Sequence, residues 1–283
     1  MITASLHKQQ GLTLIELMIA MTLSLIVVFA VGTILVTSNK TASISSTLSD
    51  SQETGRFAID YITRQLLRAG FNPSQNLNVT KLAAFPPICS PDPADVMCLS
   101  NSDNNIGDRI AIQRTAEAGT DNAVTCSGGR LQDGAGVDIT TDAIVVDAFW
   151  IGEDSEQRLN LRCQTYDADG TILGAAGTPF TAVASLALGV VGMHVLYGES
   201  NTPPQDQIFS VNRYVSADNV TDWNNIYAIR LAIITEALNT TQGKASEQVY
   251  TLLDADQYKY NDQTSRQVFT TTIALLNLAR GEE

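Results

Sequence analysis

The sequence predicts an α+β fold, a long N-terminal helix followed by an antiparallel, mostly β body. Three observations carry this expectation. From Leu12 to Val36 the chain is apolar, with Glu16 its only ionisable side chain. From Lys40 to Ala69 there is no proline, and apolar residues recur at helical spacing. From Asp108 onward the apolar repeat shortens to two, the period of a strand.

The first element opens in KQQGLTLIELMIA, residues 8 to 20. Its apolar run of about 25 residues exceeds the ~20 that cross a bilayer as a helix. Lys8, with His7, precedes the run and the acidic bulk of the chain follows it. The positive-inside tendency therefore places the N-terminus in the cytoplasm and the body outside. A simple membrane anchor is one reading. A secretory signal is a second, with AVG at residues 30–32 offering a small-x-small cleavage site before Thr33.

Glu16 strains both readings. A lone carboxylate in hydrocarbon costs roughly 2.5 to 3.5 kcal/mol on insertion scales, and such groups usually have a partner. The segment holds no Lys, Arg or His to supply one. Cleavage between Gly11 and Leu12 would create the partner, because Leu12 would gain a charged amine four residues before Glu16. In a bundle of staggered helices the carboxylate of one subunit can then meet the amine of its neighbour. That pair would fix the register between subunits, the best-attested use of a buried charge pair.

The helix is expected to continue past Val36. Ile44, Leu48, Phe57, Ala58, Tyr61, Ile62, Leu66 and Ala69 fall at helical spacing. Arg56 with Asp60, and Asp60 with Arg64, are i,i+4 pairs that add support on the polar side. Gly55 costs about 1 kcal/mol relative to alanine, and Gly70 followed by Asn72-Pro73 gives a stop. The expectation is one helix of about 58 residues, roughly 87 Å long; a separate amphipathic helix after a break near residues 38–46 is the alternative.

Residues 71 to 107 are rich in Pro, Asn, Ser and Asp and read as loop. Outside the cytoplasm the four cysteines read as two disulfides. Three pairings are possible, and we expect Cys89 with Cys98 and Cys126 with Cys163. A zinc site is the alternative, although no CxxC or Cys/His spacing supports it. Beyond the loop, DRIAIQRT alternates Ile110 and Ile112 with Arg109 and Gln113. In RLNLRCQTYDADGTIL, Leu159, Leu161 and Cys163 point one way while Asn160, Arg162 and Gln164 point the other. Asp169-Gly170 signals a hairpin. AIVVDAFWI, GMHVLYG, YAIRLAIIT and QVFTTTIALL are further strand candidates.

Chemistry-bearing residues are sparse. The chain of 283 residues has a net charge of −13, carried mostly beyond residue 70, which argues against a nucleic-acid surface. His7 would leave with a leader, so His194 would be the only histidine, and in an apolar strand it reads as a packed or surface residue rather than a base. No GxSxG, HExxH or Walker-type loop occurs. Asp167 and Asp169 resemble part of a calcium loop, but the twelfth position is Ala176 where a glutamate is required, so a hairpin turn is the better account. No catalysis, cofactor or metal is expected.

A basic leader ending in Gly11, then LTLIELMIAMTLSLIVVFAV, resembles the class III signal of type IV prepilins and pseudopilins. The resemblance implies that a prepilin peptidase cuts after Gly11 and N-methylates Leu12, with Glu16 as the family's glutamate at the fifth mature position. The family's usual first mature residue is phenylalanine, and Leu12 departs from it. SQETGRFAIDYITRQLLRAGF resembles the helix-end signature of PilW-type minor pilins, with Thr54 in place of the usual asparagine. VVGMHVLYG, YAIRLAIITEAL and RQVFTTTIALLNLAR are similar to later blocks of that family.

A pilin-like division of the chain follows: leader 1–11, membrane or filament-core half-helix 12–36, amphipathic half-helix 37–70, and a disulfide-containing head 71–283. Other minor pilins, the major pilin, prepilin peptidase, the inner-membrane assembly platform, a PilY-type tip adhesin and inner-membrane lipid are the partners the resemblance implies. The protein would reside in the inner membrane before assembly, then in the pilus, at or near its tip. A minor pseudopilin of a type II secretion system is the nearest alternative; a surface- or DNA-binding adhesin is the second.

Overall fold

The computed structural model describes residues 13–73, 82–86, 107–133, 135–175, 183–201, 210–238 and 245–279. It forms two units, one ending at Ser46 and one beginning at Thr47. The boundary falls inside a single helix, α1, Leu14–Leu66. The expected continuous helix is present, and the alternative, a break near residues 38–46, does not occur. The helix ends a little before the predicted stop, and residues 67–70 form a turn that closes with Gly70 at φ +70°. That left-handed conformation suits glycine, and the freed Gly70 N–H donates to Gln113 O at 2.8 Å.

The second unit is built around two antiparallel sheets. In the first, β1 (Ile110–Ala116), β3 (Ala143–Glu153), β4 (Leu159–Asp167), β5 (Ile172–Ala175) and β2 (Leu131–Gln132) pair in that order, and β6 (Ala184–Leu188) also pairs with β4. The second orders β12 (Arg266–Ala274), β9 (Ile226–Glu236), β7 (Val190–Glu199) and β8 (Arg213–Val215). β10 (Ser246–Tyr250) and β11 (Tyr258–Asp262) form a separate hairpin, and a short helix, α2 (Leu276–Ala279), ends the described chain. The expected α+β class and the four later strand candidates are all present. Asp169-Gly170 does make the β4–β5 turn, where Asp167 accepts the backbone N–H groups of Asp169 and Thr171 at 3.0 and 2.7 Å.

Within the second unit α1 buries Thr47, Ser51, Gly55, Ala58, Ile62 and Leu66. Steps of three and four place them on one face. The first four are small, so the helix backbone lies close to the second sheet. Ser51 and Thr235 pair through their hydroxyls at 3.0 Å, and the Phe269 ring occupies the space that a side chain at Gly55 would need. Further along, Ile62 and Leu66 enter the main core with Ile112, Phe149, Leu161, Val195 and Ile229. Burial of each such side chain contributes about 1.5–3 kcal/mol.

The alternation read in β4 holds, but its polar face is not solvent. Asn160 is fully buried and Gln164 is 5% exposed. The reason is a further apolar cluster on that face of the sheet, made by Ala111, Val146, Ala148 and Tyr166. Period two identifies the faces of a strand; it does not say how many are covered.

Close helix–sheet contact at Gly55 sets a stability expectation. A Cβ there would come 2.1 Å from Phe269 Cε2, so Gly55→Val should destabilise the head by about 1–3 kcal/mol through overpacking. Thermal unfolding of the full-length chain in detergent, followed by near-UV circular dichroism, measures it. A variant that melts with the wild type would show that the ring turns aside freely.

Candidate functional site

The first unit presents the N-terminal apolar run. Every large apolar side chain from Leu14 to Val36 is at least 49% exposed. An 18-residue window of α1 has a mean hydropathy of 2.6, and α1 is the one helix among the described residues long and apolar enough to cross a membrane. Such an expanse of apolar surface cannot persist in water; it requires lipid or other apolar helices around it. Ser and Thr hydroxyls in the segment are turned back onto the helix, as in Thr22 to Ile19 O at 2.9 Å and Thr33 to Ala30 O at 2.8 Å. Their polarity is thereby satisfied without water.

Glu16 sits in the first turn of α1. Its backbone N–H donates to Thr13 Oγ1 at 3.3 Å, so Thr13 caps the helix and Glu16 occupies the third helical position. Thr-x-x-Glu is the spacing of a capping box, and the carboxylate also favours the positive end of the helix dipole. The carboxylate itself is exposed. Gly11 and Leu12 lie outside the described residues, as do Cys89 and Cys98.

In the second unit the end of α1 is clamped to a polar core. Cys126 and Cys163 are joined by a disulfide, and Tyr61 donates its hydroxyl proton to the Cys126 carbonyl. The Cys126 N–H donates to Thr165 Oγ1 at 2.8 Å, and Thr165 donates to Asp147 Oδ1 at 2.6 Å. Asp147 Oδ2 accepts Arg114 Nε at 2.6 Å, with both side chains fully buried. Arg114 also donates to the carbonyls of Asn122 and Val124. Arg68 reaches Asn122 from the turn after the helix, at 2.6 Å to Oδ1. Burial and then the neighbouring Arg114 draw the Arg68 guanidinium down to about 10, which leaves it charged at neutral pH.

The sequence contained a signal for this network that spacing alone did not raise. Arg114 and Asp147 are the lone charges within β1 and the inner stretch of β3, and lone charges in neighbouring core strands must find each other or remain uncompensated. A second polar cluster joins separate elements. His194 on β7 contacts Asp108 Oδ2 through Nδ1 and Asp254 Oδ1 through Nε2, both at 2.7 Å. His194 is thus packed between carboxylates. Among the described residues no group of three or more His, Cys, Asp or Glu side chains is arranged to hold a metal.

Two family models match the chain. The model described as Type IV Pilus-assembly protein W matches residues 148–277, from within β3 to α2. The prokaryotic N-terminal methylation motif matches residues 6–37, which include Gly11, Leu12 and Glu16. Among solved structures the chain is similar to a type IV-like pilin from Thermus thermophilus, at 15% identity and a TM-score of 0.40, covering 84% of this chain and 98% of that one. A search of the curated proteins finds no match.

The buried ion pair yields a quantitative expectation. Arg114→Met strands the Asp147 carboxylate and should cost about 3–5 kcal/mol of stability. The double variant Arg114→Met/Asp147→Leu should recover a large part of that loss. A double variant as unstable as the single one, in thermal unfolding of the full-length chain, would remove the stranded charge as the cause.

Proposed function

We propose that this chain, which matches the PilW model over residues 148–277 and the N-terminal methylation motif over residues 6–37, is a minor pilin of the PilW type. It joins other minor pilins in the inner membrane, primes polymerisation of the major pilin, and is carried to the filament tip. Its role is assembly, not catalysis. Prepilin peptidase removes residues 1–11 and methylates Leu12; a PilY-type adhesin and the inner-membrane assembly platform are further partners.

The observation that carries this reading is the apolar run of α1, exposed along its length and lying within the match to the N-terminal methylation motif. A helix satisfies its own backbone hydrogen bonds, so it can stay in lipid as a stored subunit and then enter a core of packed helices. Its side chains remain in apolar surroundings in both places. Glu16 then has two roles that can be separated. Its backbone and position serve the Thr13 cap, while its charge meets the methylated amine of a neighbouring Leu12 and sets the stagger between subunits.

The mass of the N-terminal peptide, taken from membranes and from sheared filaments, tests the processing. A chain starting at N-methylated Leu12 is expected; a start at Thr33, or retention of residues 1–11 in active cells, would overturn the assignment. Registry is tested by comparing Glu16→Gln with Glu16→Ala. Glutamine keeps a capping-box residue but lacks the charge, so both variants should insert, be cleaved and fail to enter filaments at normal amounts. Normal incorporation of Glu16→Gln would leave only the cap.

A further inference from the structure

The β10–β11 hairpin is held on the second sheet from two ends by different chemistry. Its base is tied by Arg266, which donates to Asp262 at 2.7 Å and to Glu236 at 2.9 Å and lies over the Tyr260 ring. Its turn is tied by Asp254 to His194. Between the two ends, Leu252 and Tyr258 cover Val191, Ala232 and Ile234 of the sheet. Among the described strands the hairpin pairs only with itself. Its turn carries Leu253 at φ 53°, a left-handed conformation that a leucine rarely adopts.

We propose that Asp108, His194 and Asp254 form a pH-sensitive latch that closes the β10–β11 hairpin over the apolar face of β7 and β9. Imidazolium has an N–H on each nitrogen and can donate to both carboxylates at once; neutral imidazole has one. Asp108 is buried and also accepts the Val195 N–H at 2.8 Å, so it is the partner that stays. Asp254 is 57% exposed in its side chain and can turn to water. Loss of the second proton therefore frees the hairpin turn while the Arg266 end holds as a hinge.

The direction of the pH response follows from the surroundings of His194. Burial disfavours its charge, but the bonds to Asp108 and Asp254 and their charges outweigh burial and raise it above its ordinary 6.5. Among the described residues the Tyr197 and Tyr258 hydroxyls also sense this site. Burial, then Asp108, raises both, Tyr258 to about 12, so both stay neutral in the relevant range. A raised histidine contributes stability that is fully present below about 6.5 and is lost as pH climbs through the higher folded value. The latch is closed on the acid side and open on the alkaline side.

Hydrogen exchange of the full-length chain in detergent, corrected for intrinsic rates at pH 6 and pH 9, reads the latch directly. Protection across residues 246–262 should fall by about tenfold or more towards the higher pH while that of β9 holds. Asp254→Ala, an exposed change that removes the acceptor and leaves the Asp108–His194 contact in place, should show the lower protection at both pH values. Equal wild-type protection at both pH values, an equal fall in β9, or a wild-type response retained by Asp254→Ala would each overturn the proposal.

Discussion

Everything in this molecule depends on α1 meeting two different solvents along one uninterrupted helix. Up to Val36 its side chains need an apolar surrounding that the helix itself cannot provide. From Thr47 its buried face is matched to a β-sheet by Thr, Ser, Gly and Ala, then by Ile and Leu. Backbone hydrogen bonding is indifferent to this change, because each N–H finds its partner four residues back. The change is written only in the side chains, and a helix is the one element that can carry both.

The head meets this constraint by fastening the end of the helix with polar groups rather than with apolar contact alone. Tyr61, Arg68, the Cys126 backbone and the Arg114–Asp147 pair share a connected set of hydrogen bonds. A buried pair of this kind adds little net stability compared with well-packed apolar residues, but removing one partner is costly. Its geometry is also directional, so it specifies how the helix end meets the first sheet. The disulfide closes the stretch from Cys126 to Cys163, separated by 37 residues, onto the same place. Restricting the unfolded chain over such a loop contributes about 3–4 kcal/mol.

Buried charge elsewhere in the head works in the same way. Glu199 is 3% exposed and accepts Arg213 together with the Thr221 and Asp222 backbone N–H groups. Burial opposes its ionisation, but these donors outweigh it and hold the carboxyl below its usual range. An acidic chain would gain little from such groups on its surface. Glu199 instead ties β7 to β8 and to the turn that follows it.

Much was legible in the sequence because it is set by local rules. Composition alone marks the apolar run. A lone Glu16 without a cation poses the question of its partner, helical spacing without proline predicts the continuation to Ala69, and period two predicts the strands. The helix itself ends at Leu66, a few residues before the Gly70 stop signal, because a turn over residues 67–70 intervenes. Other features are decided only by tertiary structure. Whether the polar face of β4 meets water depends on what covers it, and Asn160 proves buried. That Arg114 meets Asp147, and that His194 lies between Asp108 and Asp254, depends on the pairing of strands distant in sequence. Periodicity reports which way a side chain points; only the packed fold decides what it points at.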